Sequence, residues 1–501
     1  MYPGIAQAKT LNFSEFSFWW VLLLTSVPFF TVRYIGQSFD WWRDRFDTVG
    51  LAALSLLLFL NASSTSFAVF LFEILFNYFM VSLMLRREAS GNKKQARLIA
   101  TVVIVFDVVV LAYFKYLTFF IEDFIGIAAP VPENWQAGFP LPVFQTIPPG
   151  VSFYTFQMVA FVVDSFTARR KKPIKLLDYI NFVSFFPQIV AGPIERRRDL
   201  LPQIQNFKFK FTADNFDIGM RWLSLGMFMK FVLGDNIAPY ITDGMTETAN
   251  PWLVWFYAFL FTLRIYFDFG GYSFMAVGIA RILGVKLTLN FLAPYTSRSI
   301  NEFWRRWHVS LSTWFRDYVF IPLMGKRKKW APFFLFITFT LSGFWHGAAW
   351  NFMIWGAYHG ALLLLLRYAG RPFSKVTSNF VKKPQVVSWA LTFGSVILGC
   401  LFFMELNIER LLLKLQTLVT PWAYSPANFV QALSIFNTPE GLVLGVALAL
   451  ALAFLLLEHI AVWQERDEYA LLTTPWMSRV LLGLTILLAA NIPADFIYFE
   501  F

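Results

Sequence analysis

Apolar stretches of the length a helix needs to cross roughly 30 Å of hydrocarbon, about 20 residues, recur along the chain at 17–36, 66–85, 98–121, 386–404, 441–463 and 478–498. These predict six transmembrane helices. Shorter or polar-interrupted apolar windows lie at 48–61, 149–168, 216–234, 251–283 and 330–366, the last reading as a hairpin. Loop charge decides how they are connected. Basic residues cluster at Arg86, Arg87, Lys93, Lys94 and Arg97, at 169–172, at 196–198, at 298–329 and at 367–383, and the positive-inside rule assigns all five clusters to the cytoplasm. Segments 122–148 and 235–250 carry acids and no Lys or Arg, so they are expected outside.

Residues 178–194 are apolar yet have basic clusters on both flanks. The segment is therefore expected to be re-entrant, with Pro187, Gly192 and Pro193 breaking helix where protein or a water-filled cavity satisfies the released backbone groups. Residues 251–283 must make one net crossing, with a break expected at Gly270-Gly271. The reading is an all-α polytopic membrane protein of about twelve crossings, both termini outside. The first apolar run lacks a compact basic region before it and a cleavage site after it, so it is expected to be a retained span. No repeat or long Gly/Ser linker divides the chain, and residues 1–501 are taken as one membrane-embedded domain.

Composition agrees. The chain is 57% hydrophobic and 15% charged, with 60 Phe and 19 Trp, against about 25% charged residues in an ordinary soluble domain. One cysteine, Cys400, excludes an internal disulfide, and with four histidines it leaves little for a metal cage. The net charge of +11 sits in loops between apolar runs, which argues for a bilayer and against nucleic acid as partner.

Without metal or bound cofactor, chemistry near neutral pH falls first to histidine. His459 beside Glu458 reads as a satisfied interfacial residue, and His359 in WGAYHGALLL as a hydrogen bond across a helix interface. His346, in LSGFWHGAAWNFMIWG, lies sixteen residues beyond Trp330, about 24 Å along a helix from the cytoplasmic face. An ionisable residue at that depth faces a cavity or a polar partner, and Gly343, Gly347, Ala348 and Ala349 let another backbone or a ligand approach. His308 stands in NEFWRRWHVSLSTWFRDYVFIP, where Phe303, Trp307, Leu311, Trp314 and Phe315 recur at helical spacing and Arg305, Arg306 and Arg316 take other positions. That pattern predicts an aromatic, basic amphipathic helix, either an interfacial anchor or a cytoplasmic mouth for a phosphate-bearing acyl donor.

These residues fall in six ordered blocks: PPGVSFYTFQMVAFVVDSF (149–167), FPQIVAGPIERRRDLLPQI (186–204), IYFDFGGYSFMAVGIARILG (265–284), NEFWRRWHVSLSTWFRDYVFIPLMG (301–325), SGFWHGAAWNFMIWGAYHG (342–360) and FIYFEF at 496–501. Together they resemble the membrane-bound O-acyltransferase family, in particular the bacterial branch of alginate O-acetylation and teichoic-acid D-alanylation proteins. The motif-bearing core is about 149–367, and the amino-terminal third matches only in hydropathy. Three departures are Gly270 and Phe274 where the branch often reads FDFSGYSDMA, Met324-Gly325 where it often has Gly-Gly, and FIYFEF in place of FIYFQF. Phe274 would remove a charge near the cavity.

The resemblance implies a helical bundle around a central tunnel, with His346 as the active-site histidine and His308 as the second family histidine. It implies a thioester donor, acyl-CoA or an acyl carrier, at the cytoplasmic face. Arg305, Arg306 and Arg316 would hold its phosphates, with Asp317, Trp345 and Asn351 supporting. The expected reaction moves a short acyl group, acetyl above all, for O-acylation of an envelope or extracellular polysaccharide in a bacterial inner membrane. An extracytoplasmic acyltransferase partner, a small carrier or the glycan itself would accept it. The competing reading is a transporter or channel for a small solute or acyl group, suggested by broken helices and by Asp107, Asp164 and Asp268 in apolar runs. Pairing of these acids with nearby Lys or Arg is the structural alternative.

Overall fold

The computed structural model describes residues 16–35, 40–120, 147–168, 173–209, 211–243, 249–380, 384–490, 494 and 496–497. The basic cluster at 169–172, most of the 122–148 loop and most of FIYFEF lie outside the described residues. Those described form helices and connections, with no strand among them. In chain order the helices that matter are α1 (Phe16–Ile35), α2 (Asp40–Ala62), α3 (Ser64–Ala89), α4 (Lys93–Phe119), α5 (Val151–Thr167), α6 (Leu176–Ser184), α7 (Arg197–Gln205), α8 (Ala213–Met227) and α9 (Asp235–Asp243). There follow α10 (Pro251–Ile282), α11 (Ile300–Arg306), α12 (Val309–Phe315), α13 (Ile321–Met324), α14 (Ala331–His346) and α15 (Trp350–Phe380), then α16 (Pro384–Met404), α17 (Ile408–Leu418), α18 (Pro426–Leu433), α19 (Pro439–Trp463) and α20 (Pro475–Leu488).

Among the described residues, six helices are long and apolar enough to span a bilayer: Phe18–Ile35, Ser66–Ala89, Lys93–Leu117, Pro251–Ile282, Gln385–Met404 and Pro439–Trp463. Five coincide with expected windows. The window 478–498 does not, because α20 stops at Leu488, where Asn236 Nδ2 donates to Leu488 O (3.0 Å) and Ala490 N donates to Phe231 O (3.1 Å). The other expected crossings fall on helices that are shorter or carry more polar residues. The chain divides into two compact units, residues 1–219 with 276–288, and 220–275 with 289–501.

In the first unit, α3 and α4 pack on each other and on α5. Asp107 has no Lys or Arg beside it among the described residues. Asn77 Nδ2 donates to its Oδ1 (2.7 Å), and Tyr154 OH donates to Glu73 on the same face of α3 as Asn77 (2.9 Å). In 178–194, helix α6 is nine residues long and gives way at Phe185 to buried turns, too short for a crossing at about 1.5 Å per residue. Amide side chains take up a released carbonyl and tie the segment to α2: Gln157 and Gln188 both donate to Phe182 O (2.7 and 3.0 Å), and Asn181 donates to Thr48 O of α2 (2.9 Å). Gly150, at φ +71°, lies so close that a Cβ would sit 2.3 Å from Ile189 O.

Glu195 closes this segment by accepting from Thr288 N (2.6 Å) and Thr288 Oγ1 (3.3 Å), and burial pushes its carboxyl up to about 7. A carboxyl raised on folding binds its proton more tightly in the native state, so stability falls as pH rises from about 4.5 through 7. Glu195→Gln is expected to flatten that decline in thermal unfolding measured across the same interval. An unchanged pH slope would place the titration elsewhere.

In the second unit, α10 runs unbroken through Gly270 and Gly271, contrary to the expected break. The glycines serve close approach instead. A Cβ on Gly271 would meet Gly226 O and Lys230 N at 2.8 Å, and one on Gly226 would meet Gly271 O at 2.6 Å. Residues Phe228–Gly234 after α8 form a π-helical turn, a distortion frequent at functional sites. It carries Lys230, buried between Asp235 (2.7 Å) and Asp268 (2.6 Å), so Asp268 has the basic partner that the structural alternative required.

Candidate active site

His346 is the last residue of α14, where the chain turns into α15. The two helices touch through glycine: a Cβ on Gly343 would lie 2.1 Å from Phe352 O, and one on Gly356 2.2 Å from Phe339 O. The small residues near His346 therefore admit a neighbouring helix backbone. The space beside the imidazole is made by aromatics, with Trp345, Trp355 and Phe403 at 4.9, 5.1 and 5.1 Å between ring centroids. A narrow cavity of about 20 Å³ is lined by His346, His359, Cys400, Tyr295, Phe303, Trp307, Trp355, Phe403, Ile265 and Val396. Such a volume holds about one water.

His359 thus belongs to the cavity rather than to a plain helix interface. Its ring stands edge-on to Trp355 (5.0 Å) and Trp304 (5.1 Å), and Gly399 gives it room, since a Cβ there would come 2.7 Å from Nε2. Sequence reading undervalued it because a lone histidine in an apolar run carries no mark of what it faces. The one available signal was its placement four residues after Trp355, on the same side of α15. Asn351 secures the outer wall: its Nδ2 donates to Phe402 O (3.2 Å) and Phe403 O (3.4 Å).

His308 does not lie within a continuous amphipathic helix. The helix ends at Arg306 and restarts at Val309, with His308 between them in the left-handed region at φ +42°. Such a conformation is rare for a residue with a Cβ and is held only where surroundings impose it. The segment Asn290–Leu292 imposes it here: Val309 N donates to Asn290 O (2.9 Å), Ser310 Oγ to Asn290 Oδ1 (2.6 Å) and Leu292 N to Arg306 O (3.0 Å). The expected apolar stripe survives the break, with Phe303, Trp307, Leu311, Trp314 and Phe315 all buried. The imidazole of His308 is 1% exposed and packs edge-on to Phe269 (4.7 Å) and nearly parallel to Phe291 (6.4 Å). Burial pushes it down to about 3, so it stays neutral. Trp345 packs against both histidines, 6.4 Å from His308 and 4.9 Å from His346 between ring centroids.

The three arginines differ in what they already hold. Arg306 is half-buried and committed: it donates to Glu302 (3.1 Å), Glu468 (3.2 Å) and Leu292 O (2.9 Å). Arg316 pairs with Asp317 at 2.7 Å, the supporting contact expected for Asp317. Arg305 is exposed and makes no ion pair among the described residues. Phe274 is fully buried between Trp222 (5.2 Å) and Tyr469 (4.8 Å) and does not line the cavity, so the departure there concerns packing. His459 bonds Leu455 O through Nδ1 (2.9 Å) and packs on Trp389.

The sequence model of MBOAT, the membrane-bound O-acyltransferase family, matches residues 5–408. The chain belongs to the membrane-bound O-acyltransferase family. It is 33% identical over 377 residues to a peptidoglycan O-acetyltransferase of Helicobacter pylori, covering 69% of each chain. It is 36% identical over 311 residues to the probable alginate O-acetylase AlgI of Pseudomonas putida, covering 60% of this chain and 61% of the relative. A teichoic acid D-alanyltransferase of Bacillus subtilis is 31% identical over 271 residues, 51% of this chain and 68% of the relative. This membrane-bound O-acyltransferase is thus a multi-span membrane protein, as its six long apolar helices require, and the resemblance read from the sequence blocks is borne out at the level of family.

Proposed function

We propose that this chain transfers a short acyl group, acetyl in the first instance, from a cytoplasmic thioester to a hydroxyl, for O-acylation of an envelope or extracellular polysaccharide in a bacterial cell membrane. The observation that carries the reading is His346, set at the end of α14 in a narrow aromatic cavity. The relatives' names supply the substrate class: two are O-acetylating proteins and one a D-alanyltransferase. A thioester carbonyl is already electrophilic, whereas a hydroxyl is a poor nucleophile until its proton is removed. In this account the neutral imidazole of His346 takes that proton as the hydroxyl oxygen attacks the carbonyl carbon. The tetrahedral intermediate collapses with loss of the thiolate, which recovers the proton from the imidazolium, leaving an oxygen ester and a thiol.

His308, neutral and held by Phe269 and Phe291, positions donor or acceptor, with Trp345 in contact with both histidines. The acyl acceptor is an extracytoplasmic acyltransferase partner or the polysaccharide itself. Deleting the gene and weighing the esters on surface polysaccharides tests the reading: loss of an ester restored by the intact gene supports it and names acyl group and acceptor together. An unaltered ester pattern overturns it.

Donor capture falls to Arg305, because Arg306 and Arg316 have carboxylate partners of their own. A charge-assisted phosphate contact contributes about 1.5–3 kcal/mol, so Arg305→Gln is expected to raise the donor KM about 10- to 150-fold with the saturated rate less changed. Arg306→Gln should lower thermal stability instead. Equal donor KM in wild type and Arg305→Gln would move donor recognition off this helix.

A further inference from the structure

From the last residue of α20 onward, in the second unit, the chain is fastened to the π-helical turn and its neighbours at four points. Asn236 donates to Leu488 O, Ala490 N donates to Phe231 O, Lys230 Nζ donates to Ala494 O (2.9 Å) and Ile497 N donates to Asp268 Oδ2 (2.6 Å). The last two contacts come from a buried ion cluster. Lys230 and Asp235 face each other at 2.7 Å and Lys230 and Asp268 at 2.6 Å, and Arg264 acts electrostatically on Asp235, so two cations offset two carboxylates. An ammonium has three protons to donate. Within 2.9 Å, Lys230 has three acceptors on three residues, Asp235, Asp268 and Ala494.

A buried ion pair is weak as a source of stability, since an apolar replacement of similar volume often serves as well. What an apolar replacement lacks is the hold on a backbone carbonyl. The consequence of that hold is where Phe496 lies. Fully buried, its ring stacks on Tyr272 (4.7 Å, 29°) and meets Phe269 edge-on (6.1 Å), and Phe269 in turn packs edge-on against His308 (4.7 Å) and against Phe291 (5.0 Å), the other ring beside that imidazole.

We propose that Ala494, Phe496 and Ile497, held through Lys230 and Asp268, form a positioning strap for His308: Phe496 backs Phe269, and Phe269 with Phe291 fixes the orientation of the imidazole. Lys230, Asp268 and Phe496 are then positioning residues, none of which touches substrate. The proposal rests on the reading of His308 as part of the transfer machinery.

The experiment uses the full chain in lipid vesicles, an acetyl thioester as donor and ring-labelled histidine, of which the chain has four. Phe496→Leu is expected to lower kcat about 10- to 100-fold, as a small misplacement of a reacting group does, while the donor KM changes by less than about twofold. The His308 ring resonances should shift and those of His346, His359 and His459 stay. Phe454→Leu is the control for loss of aromatic packing away from His308: Phe454 is buried against Phe228 and Phe267, and its variant should lose thermal stability with kcat kept. Wild-type kcat and an unmoved His308 signal in Phe496→Leu would overturn the strap, as would an equal fall of kcat in Phe454→Leu. His308→Ala separates the two levels. If it is inactive while Phe496→Leu is normal, the strap alone fails; if it is fully active, the role given to His308 fails and the strap with it.

Discussion

His346→Ala lowers acyl transfer by about 10²- to 10⁴-fold, the usual contribution of a positioned general base, while the protein still reaches the membrane in normal amount. The second half of that expectation follows from where the ring sits. His346 ends α14, and the helix pair is locked by Gly343 and Gly356 against opposing carbonyls, so the hairpin does not depend on the imidazole. The side chain touches Trp345, Trp355 and Phe403 beside a cavity, where truncation enlarges a space already present. Transfer measured per folded molecule in vesicles checks it. His346→Gln, close in shape but unable to take the proton, should be as inactive as Ala. Substantial transfer by either variant removes the base from His346.

The second large effect is on stability. Lys230→Met takes one cation from a cluster whose two carboxylate side chains, Asp235 and Asp268, are both 2% exposed. Breaking a buried pair from one side costs roughly 3–5 kcal/mol, because the remaining charge is left uncompensated. A marked drop in the thermal midpoint in detergent is expected. Replacing Asp268 by Leu in the same chain should recover part of it, since fewer carboxylates then lack a cation. Failure of Lys230→Met to change the midpoint would mean that the carboxylates take up protons and need no lysine.

The family was legible in the sequence because six motif blocks occur in order, and most long spans were legible because a bilayer demands long apolar runs. What escaped depended on contacts remote in sequence. Gly270-Gly271 reads alike whether it breaks a helix or lets one approach, and the choice lies with Gly226 and Lys230 about forty residues earlier. The stripe from Phe303 to Phe315 keeps helical period straight through His308, so nothing local marks the left-handed residue that Asn290 imposes. Arg305 and Arg306 are adjacent and alike in sequence. Glu468, 162 residues away from Arg306, makes one structural and leaves the other exposed. The depth of His346 was readable from the apolar run before it, but its aromatic surroundings required α16, which brings Phe403 to the ring.

The central claim is that the chain breaks a thioester and makes an oxygen ester, and does not merely conduct a solute. Vesicles holding the purified full chain, its cytoplasmic face outward, with an extracytoplasmic partner and polysaccharide inside and acetyl-labelled thioester outside, test it most directly. The account predicts label appearing inside as base-labile ester, matched by free thiol outside and lost in His346→Ala. Solute entering without thioester loss, or ester formed equally by His346→Ala, would contradict it.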